Sequence, residues 1–126
     1  MRLLNMTQRI NFGEIWLADL SPRQGTELGK TRPILIMQAQ ALLDSGHSST
    51  LIIPLTTNIL EGFQYLRMRI KAVDNLEKDS DLLIDQVRAI DNKRLIKGPL
   101  TTCDETFMRK VHEKLLKIIG FKSPSP

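Results

Sequence analysis

Apolar residues are spaced along this chain in two ways: short runs over most of its length, and a helical stripe near the C-terminus. The runs are rich in Ile, Leu and Trp and are bounded by turn-forming residues, so they predict β-strands. They occupy residues 13–20, 33–38, 51–55, 81–90 and 99–102. Residues 63–70 alternate imperfectly and predict one more strand, half-buried. Pro54 predicts an edge or strand-end position for the third run, because proline cannot donate a hydrogen bond to a neighbouring strand.

The helical stripe follows Thr102. Thr102 and Glu105 have the spacing of a capping box, which predicts a helix N-terminus, and Gly120 predicts the end of the helix. One face of this helix is apolar at helical spacing. It carries Phe107, Met108, Val111, Leu115, Ile118 and Ile119. With a short helical turn at 39–46 and a charged loop at 71–80, the order of several strands and one late helix indicates an α+β fold.

Length and composition predict one soluble globular domain. The chain has 126 residues, and we place the domain at residues 1–122, with residues 123–126 as a disordered tail. Hydrophobic residues make up 41% and charged residues 25%, as is typical of globular proteins. The net charge of +4 favours a polyanionic partner, whereas the 5% aromatic content argues against a base-stacking platform.

Cysteine and histidine usage predicts no disulfide, metal or cofactor site. Cys103 is the only cysteine, which fits a reducing cytoplasm. We place it in the first helical turn, inert because no histidine is positioned to serve it. His47 and His112 lie far apart and give no zinc spacing. The N-terminus does not resemble a signal peptide, and no apolar run approaches the roughly 18 residues of a membrane span. The expected location is therefore cytoplasmic.

A Gly-rich cationic loop at residues 21–32 is the strongest candidate site in the residue pattern. It places Arg23, Lys30 and Arg32 among glycines and hydroxyl side chains. Glycines let backbone N–H groups approach an anion, and arginine presents a planar fork of donors to phosphate oxygens. Pro33 keeps Arg32 extended at the entrance to the second strand. A hairpin loop with solvated charges explains the same residues about as well.

Four motifs follow one another along the chain, and together they resemble the MazF/PemK toxin family. They are GEIWLADLSP from residue 13, GTELGKTRPILI from residue 25, IIPLTTN from residue 52 and DLLIDQVRAIDNKRL from residue 81. Members of this family are the ribonuclease halves of bacterial toxin–antitoxin pairs. The resemblance implies a compact SH3-like β-barrel of about five to seven strands, with a C-terminal α-helix packed on the sheet.

The resemblance also assigns roles to single residues. Arg32 and Thr56 occupy the positions of the family's catalytic arginine and threonine. From the residues alone, Arg32 can stabilise charge developing on a phosphate, or form a salt bridge to Asp19, Glu27 or Asp85. Thr56 can donate to a phosphate oxygen, or belong to a turn-forming Thr-Thr-Asn cluster. The threonine that follows it is the alternative assignment.

Asp85, Gln86, Thr26 and Glu27 are further catalytic or RNA-binding candidates. Asp85 lies in a run predicted as an apolar strand, where a carboxylate needs a cation or a ligand as its partner, and it can act as a general base. Gln86 can read base edges. Thr26 and Glu27 can contact RNA or remain solvated. Some relatives carry a histidine in place of Thr26 and an arginine in place of Leu83, so a mechanism that needs those residues cannot operate here.

The resemblance implies a metal-independent endoribonuclease that cleaves single-stranded RNA by 2′-OH attack, leaving 2′,3′-cyclic phosphate and 5′-OH ends. The alternative is a non-enzymatic toxin on the same fold that poisons DNA gyrase and has no need of Arg32 and Thr56. A homodimer with RNA along its groove is also implied, together with a cognate acidic antitoxin that fills the groove. Three further arginines are candidate phosphate contacts or charges on an outer strand face: Arg67, Arg69 and Arg88.

Overall fold

The apolar runs fold into one antiparallel sheet in the computed structural model, which describes residues 9–21, 25 and 30–120. Its strands are β1 (Glu14–Asp19), β2 (Thr31–Ile36), β3 (Ser49–Thr56), β4 (Arg67–Ile70), β5 (Ser80–Leu83), β6 (Arg88–Asp91) and β7 (Leu95–Thr102). The strand order is β4-β5-β3-β2-β1-β7, and β6 pairs with β3 as well. The described residues also form the helices α1 (Gln40–Asp44) and α2 (Glu105–Ile118).

Each face of the sheet buries its own apolar cluster, because successive residues of a strand point to opposite faces. The first cluster includes Met108 and Val111 of α2, so this helix covers that face. Its strand, turn and loop members are Ile15, Leu35, Met37, Ile53, Leu55, Leu76, Leu82 and Ile84. The second cluster holds Trp16, Ala18, Leu20, Ile34, Ile36, Ile52, Ile90 and Leu95. Arg32 of β2 and Thr56 of β3 are an even number of residues from the members of this second cluster in their own strands, so their side chains lie on the same face of the sheet as that cluster.

The barrel-like sheet does not close. β4 and β7 end the strand order, and no ladder joins them among the described residues. The segment 71–79 bridges them instead. The Asn75 N–H donates to the Leu100 carbonyl at 3.0 Å, and the Thr101 hydroxyl donates to the Asp74 carboxylate at 2.7 Å. The predicted α+β fold, with a C-terminal helix packed on a barrel-like sheet, is confirmed in this open form.

Three predicted strand boundaries differ in the structure. The run predicted as one strand over residues 81–90 is interrupted by a 3₁₀ turn, Ile84–Gln86. The break follows from the pairing of β3, because β6 pairs with the first half of β3 and β5 pairs with its last two residues. The chain therefore leaves one pairing and enters the other at the 3₁₀ turn. The strand predicted over residues 63–70 begins only with β4, and the strand predicted at 99–102 is the end of the longer β7.

Pro54 was predicted to lie at an edge or at a strand end; the edge position is wrong because β3 is an interior strand, and Pro54 lies two residues before the last residue of β3. The Leu51 carbonyl accepts from the Met37 N–H at 2.9 Å, which shows that odd-numbered residues of β3 direct their backbone groups toward β2. Alternation turns the backbone of Pro54 to the other side. There the pairing with β6 has ended at Ile52, and the pairing with β5 begins at Leu55. The missing N–H of Pro54 therefore falls in the gap between two partner strands.

Asp104 caps α2, so the predicted capping box is wrong. The Asp104 carboxylate accepts from the Phe107 N–H at 2.8 Å. Thr102 cannot serve as the cap because it is still paired with Glu14 of β1. Cys103 consequently precedes the helix and does not lie in its first turn.

The C-terminal end of α2 follows the prediction more closely. Gly120 has φ 81°, the left-handed conformation that commonly follows a helix. Ile119 lies beyond the last helical residue and is 60% exposed, so it is not part of the buried face. No helix among the described residues is long and apolar enough to cross a membrane. The predicted tail at 123–126 lies outside the described residues.

Candidate active site

A row of polar side chains crosses four neighbouring strands at one end of the sheet. The register between β2 and β3, continued by two residues past its last pair, sets Arg32 opposite Thr56. Thr56 pairs with Asp81 of β5, and Asp81 pairs with Arg69 of β4. Residues directly opposite each other share a face of the sheet. These four side chains, the polar row, therefore project from the face that carries the second apolar cluster.

Arg32 is fixed by a defect in the sheet that Pro33 creates. In register, Pro33 lies opposite Leu55, whose carbonyl faces β2 and would accept from the N–H that proline lacks. The Arg32 guanidinium supplies the missing donor, with Nη1 3.1 Å from the Leu55 oxygen. Arg32 is half-buried, and this desolvation lowers the pKa of its guanidinium. One side of the cation is thus held by the backbone at the strand end.

The base of the loop between β1 and β2 is held by hydrogen bonds next to Arg32. The Leu20 N–H donates to the Lys30 carbonyl at 2.9 Å, and the Lys30 N–H donates to the Ser21 hydroxyl at 3.1 Å. Arg94 donates to the carbonyl of Asp19 at 3.0 Å and to that of Ser21. Lys30 has φ 69°, as the sharp return of the chain requires.

The candidates Thr26 and Glu27 lie outside the described residues, as does Arg23. Their predicted roles in the loop remain predictions. Asp19, one salt-bridge partner considered for Arg32, uses its carboxylate to accept from the Ser21 N–H at 2.9 Å.

Thr56 ends β3 with an oriented hydroxyl group. The Asn58 N–H donates to Thr56 Oγ1 at 3.1 Å, which occupies one lone pair of that oxygen and leaves its own proton for another acceptor. Thr57 has different surroundings, since it lines an open cleft of about 550 Å³ together with Pro33 and Lys97. Of the two threonines, Thr56 is the one in the polar row with Arg32.

Asp85 and Gln86 do not belong to the polar row. They lie in the 3₁₀ turn between β5 and β6, which contacts β3, β4 and α2. Asp85 is exposed and Gln86 is half-buried. The expectation that Asp85 is a carboxylate inside an apolar strand is therefore wrong, and its side chain does not need a compensating cation. Whether either residue contacts a ligand remains a prediction.

The buried carboxylate of this region is Asp81, which the sequence interpretation missed. Asp81 is only 2% exposed. Arg69 Nε donates to its Oδ1 at 2.7 Å, and Arg67 Nη1 donates to its Oδ2 at 3.3 Å. The hydrogen bond to Asp81 is the largest cause that raises the pKa of Arg69. Two arginines predicted as phosphate contacts thus share one carboxylate, while the third, Arg88, is half-buried opposite Ile52.

The remaining titratable candidates stay apart from the polar row. Burial raises the pKa of the Cys103 thiol to about 11, which agrees with its predicted inertness. His112 is exposed on α2, and His47 Nδ1 lies 2.9 Å from the Ser49 carbonyl. The described residues contain no group of three or more His, Cys, Asp or Glu side chains that can hold a metal ion.

Comparison with known proteins identifies the family. Residues 11–119 match the PemK-like, MazF-like toxins of type II toxin–antitoxin systems, and the chain belongs to this family. A protein of Staphylococcus epidermidis named Endoribonuclease MazF is 39% identical over 118 residues, which are 90% of this chain and 94% of that protein. The predicted family resemblance is therefore confirmed.

Solved structures show the same fold at lower identity. MazF of Deinococcus radiodurans superposes with a TM-score of 0.76 at 19% identity, covering 90% of this chain and 99% of that chain. A MazE–MazF structure from the same organism gives 0.71 at 19% identity, covering 91% and 99%. A mycobacterial endoribonuclease solved with its cognate antitoxin gives 0.68 at 18% identity, covering 90% and 97%.

Proposed function

We propose that this toxin is a metal-independent endoribonuclease that cleaves single-stranded RNA at the end of the sheet where Arg32 lies opposite Thr56. Family membership and the 39% identity to an endoribonuclease support the general activity, that of a toxin endoribonuclease in a toxin–antitoxin system. The observation that carries the proposed chemistry is the polar row. It presents a fixed guanidinium and an oriented hydroxyl on one face.

The proposed reaction takes its nucleophile from the substrate. The ribose 2′ oxygen attacks the adjacent phosphorus, a bond forms between them, and the bond from phosphorus to the 5′ oxygen breaks. The 2′-OH proton passes to a base and the departing 5′ oxygen receives a proton. The products are a 2′,3′-cyclic phosphate and a 5′-OH end. The protein must supply donors for the phosphate oxygens and groups that move two protons.

Arg32 and Thr56 suit the parts of this reaction that concern phosphate charge. A guanidinium presents several donors in a fixed plane, so Arg32 can hold the Leu55 carbonyl with one N–H and meet a phosphate oxygen with others. The Thr56 proton is available to a second oxygen because Asn58 already serves as donor to Oγ1. Asp85, Gln86, Thr26 and Glu27 are proposed as RNA-binding or proton-transfer residues.

The proposed regulation is neutralisation by a small acidic antitoxin. The net charge of +4 favours an acidic partner, and relatives have been solved as a MazE–MazF complex and as an endoribonuclease with its cognate antitoxin. We further propose a homodimer in the cytoplasm, with RNA and antitoxin competing for one groove. Expressed alone the toxin should arrest bacterial growth, and growth should return on co-expression of the antitoxin encoded beside it.

The test of the cleavage chemistry uses mixed-sequence RNA incubated with the protein in EDTA. Cleavage should continue without divalent ions, and the new 5′ ends should accept phosphate from polynucleotide kinase without prior phosphatase treatment. Arg32→Ala should lower the rate by at least about 10²–10³-fold, the usual loss for one charge-stabilising donor. Thr56→Ala should be impaired more than Thr57→Ala.

Two outcomes separate the alternatives. A strict Mg²⁺ requirement or 5′-phosphate ends would contradict 2′-OH attack. Absence of RNA cleavage, together with inhibition of DNA gyrase by the purified protein, would favour the non-enzymatic toxin.

Arg32→Lys serves as a second probe of the arginine. An ammonium keeps the positive charge but loses the planar fork of donors, so Arg32→Lys should restore little of the cleavage rate lost in Arg32→Ala.

A further inference from the structure

We propose that Asp81 is a positioning residue of the cleavage site, which fixes the Thr56 hydroxyl through Arg67 and the backbone of Asn58. This inference rests on the proposed ribonuclease function. It assigns a role to an ion cluster around a buried carboxylate that the cleavage chemistry itself does not use. The cluster consists of Asp81, Arg67 and Arg69.

Asp81 occupies an interior position in the polar row. It is the direct cross-strand neighbour of Thr56 on one side and of Arg69 on the other. The Cα atoms of opposite residues in an antiparallel pair lie about 4.5–5.5 Å apart, so the Asp81 side chain starts from a position next to Thr56. A change in how Asp81 is held is therefore transmitted to the end of β3.

Two arginines bind the Asp81 carboxylate. Both of its oxygens are occupied, one by Arg69 Nε at 2.7 Å and the other by Arg67 Nη1 at 3.3 Å. A buried charge persists only when it is paired, and each partner holds the other in place. The Arg67 side chain is itself 16% exposed, and its guanidinium lies 5.6 Å from the centre of the Phe63 ring.

Arg67 is connected to Thr56 through the backbone of Asn58. The same Nη1 atom of Arg67 donates to the Asn58 carbonyl at 2.9 Å. The N–H of Asn58 donates to Thr56 Oγ1 at 3.1 Å. Arg67 thereby holds the carbonyl side of Asn58, the residue whose N–H holds the threonine, and Asp81 fixes Arg67. The relay runs from Asp81 through Arg67 and Asn58 to Thr56.

The relay orients the Thr56 hydroxyl. A threonine hydroxyl at a strand end can rotate, and it can satisfy its own proton on a nearby carbonyl. With Asn58 as a fixed donor, Thr56 Oγ1 accepts, and its proton is directed to an outside acceptor such as a phosphate oxygen. Arg69 Nη2 also lies 3.9 Å from the Glu61 carboxylate, so two carboxylates balance the two arginines, and the contribution of the relay is the orientation of the Thr56 hydroxyl.

The deciding experiment is a double-mutant cycle between Asp81→Asn and Thr56→Ala, read as kcat and KM on an RNA oligonucleotide that the wild-type protein cleaves. With Thr56 present, Asp81→Asn should lower kcat about 10–100-fold, because a catalytic group misplaced by about 1 Å can cost 10²-fold. KM should change less than about threefold, since the RNA-binding surface is retained. With Thr56→Ala already in place, Asp81→Asn should change kcat less than about twofold.

Asp44→Asn is the matched control. Asp44 is also bound by an arginine, with Arg9 Nη2 at 3.0 Å. It lies shortly before Ser49, where β3 begins, whereas Thr56 is the last residue of that strand. The same loss of one negative charge there should leave kcat within about twofold of wild type. The amide resonance of Asn58 provides a second readout, which should shift in Asp81→Asn and stay in place in Asp44→Asn.

Equal losses of kcat in both backgrounds, or an unchanged kcat in folded Asp81→Asn, would overturn the positioning role. If Asp81→Asn does not fold, Arg67→Met takes its place in the cycle, because it breaks the contact with Asn58 and leaves Asp81 bound to Arg69. Wild-type protein that cleaves no RNA would refute the proposed function, and the relay with it. If the wild-type protein cleaves RNA but the effects of Asp81→Asn and Thr56→Ala on log kcat add, the relay alone is refuted.

Discussion

The bond between Arg32 and the Leu55 carbonyl gives Arg32 a structural role that can be separated from its proposed catalytic one. Arg32→Ala leaves the carbonyl without its donor, since Pro33 has no N–H to offer. An unsatisfied buried acceptor costs about 1–3 kcal/mol. Arg32 is only half-buried, so water can reach the Leu55 carbonyl once the side chain is removed, and the expected loss of unfolding free energy is about 1 kcal/mol. Pro33→Val should repair the defect by restoring a backbone donor at the same place in the ladder.

The expected size of the repair follows from two opposing terms. Replacing a strand proline costs about 0.4–1 kcal/mol through the greater freedom of the unfolded chain. A new backbone hydrogen bond contributes about 1 kcal/mol, but only where the carbonyl lacks another donor. Pro33→Val should therefore destabilise the wild-type protein by about 0.5 kcal/mol and be neutral or slightly stabilising in Arg32→Ala, a coupling of about 1 kcal/mol.

The assay is urea unfolding followed by the fluorescence of Trp16, the single tryptophan of the chain and fully buried. RNA cleavage by the same four proteins gives the second readout. Arg32→Ala combined with Pro33→Val should recover stability and remain inactive. Additive stability effects would show that the carbonyl contact contributes nothing. Recovery of cleavage in the double variant would show that Arg32 acts only as a support for the strand.

Three further predictions concern the fold around the site. Gly98→Ala should destabilise the protein by about 1–3 kcal/mol or more in the same urea assay, because an added Cβ would lie 2.3 Å from Cδ2 of the Trp16 ring. Asp104→Ala should cost about 1 kcal/mol in thermal unfolding by removing the cap that accepts from the Phe107 N–H, and an unchanged Tm would contradict that role. Since burial raises the pKa of Cys103 from 9.0 to about 11, this thiol should lower stability as pH rises between these values, and the fall should be smaller in Cys103→Ser than in the wild-type protein.

The apolar runs predicted the strands well because burial of alternating side chains is a local property of the sequence. The break at residues 84–86 was not predictable in this way. Apolar residues flank Asp85 and Gln86 on both sides, so the segment still has the pattern of a strand with two polar positions. The cause of the break is the exchange of partners along β3, which involves residues far apart in the chain. Pro54 is tolerated for the same reason, since the gap that accepts it is created by that exchange.

The candidate site was predictable where a motif placed a residue at a strand end, and not where a contact crossed strands. Arg32 and Thr56 lie together because the register brings them opposite each other. Asp81 was missed because its partners, Arg67 and Arg69, are supplied by the neighbouring strand through a register that composition does not reveal. The sequence signal was an aspartate ahead of an apolar run and two arginines spaced two residues apart.

The most direct test of 2′-OH attack changes the substrate and leaves the protein intact. After the cleavage position has been mapped, an RNA oligonucleotide is made with a single 2′-deoxy sugar immediately 5′ to the scissile phosphate. Wild-type protein in EDTA should cleave the all-RNA strand to a 2′,3′-cyclic phosphate and a 5′-OH end, and should leave the substituted position intact. Cleavage of the 2′-deoxy position at a comparable rate would contradict the proposed mechanism at the Arg32 and Thr56 site.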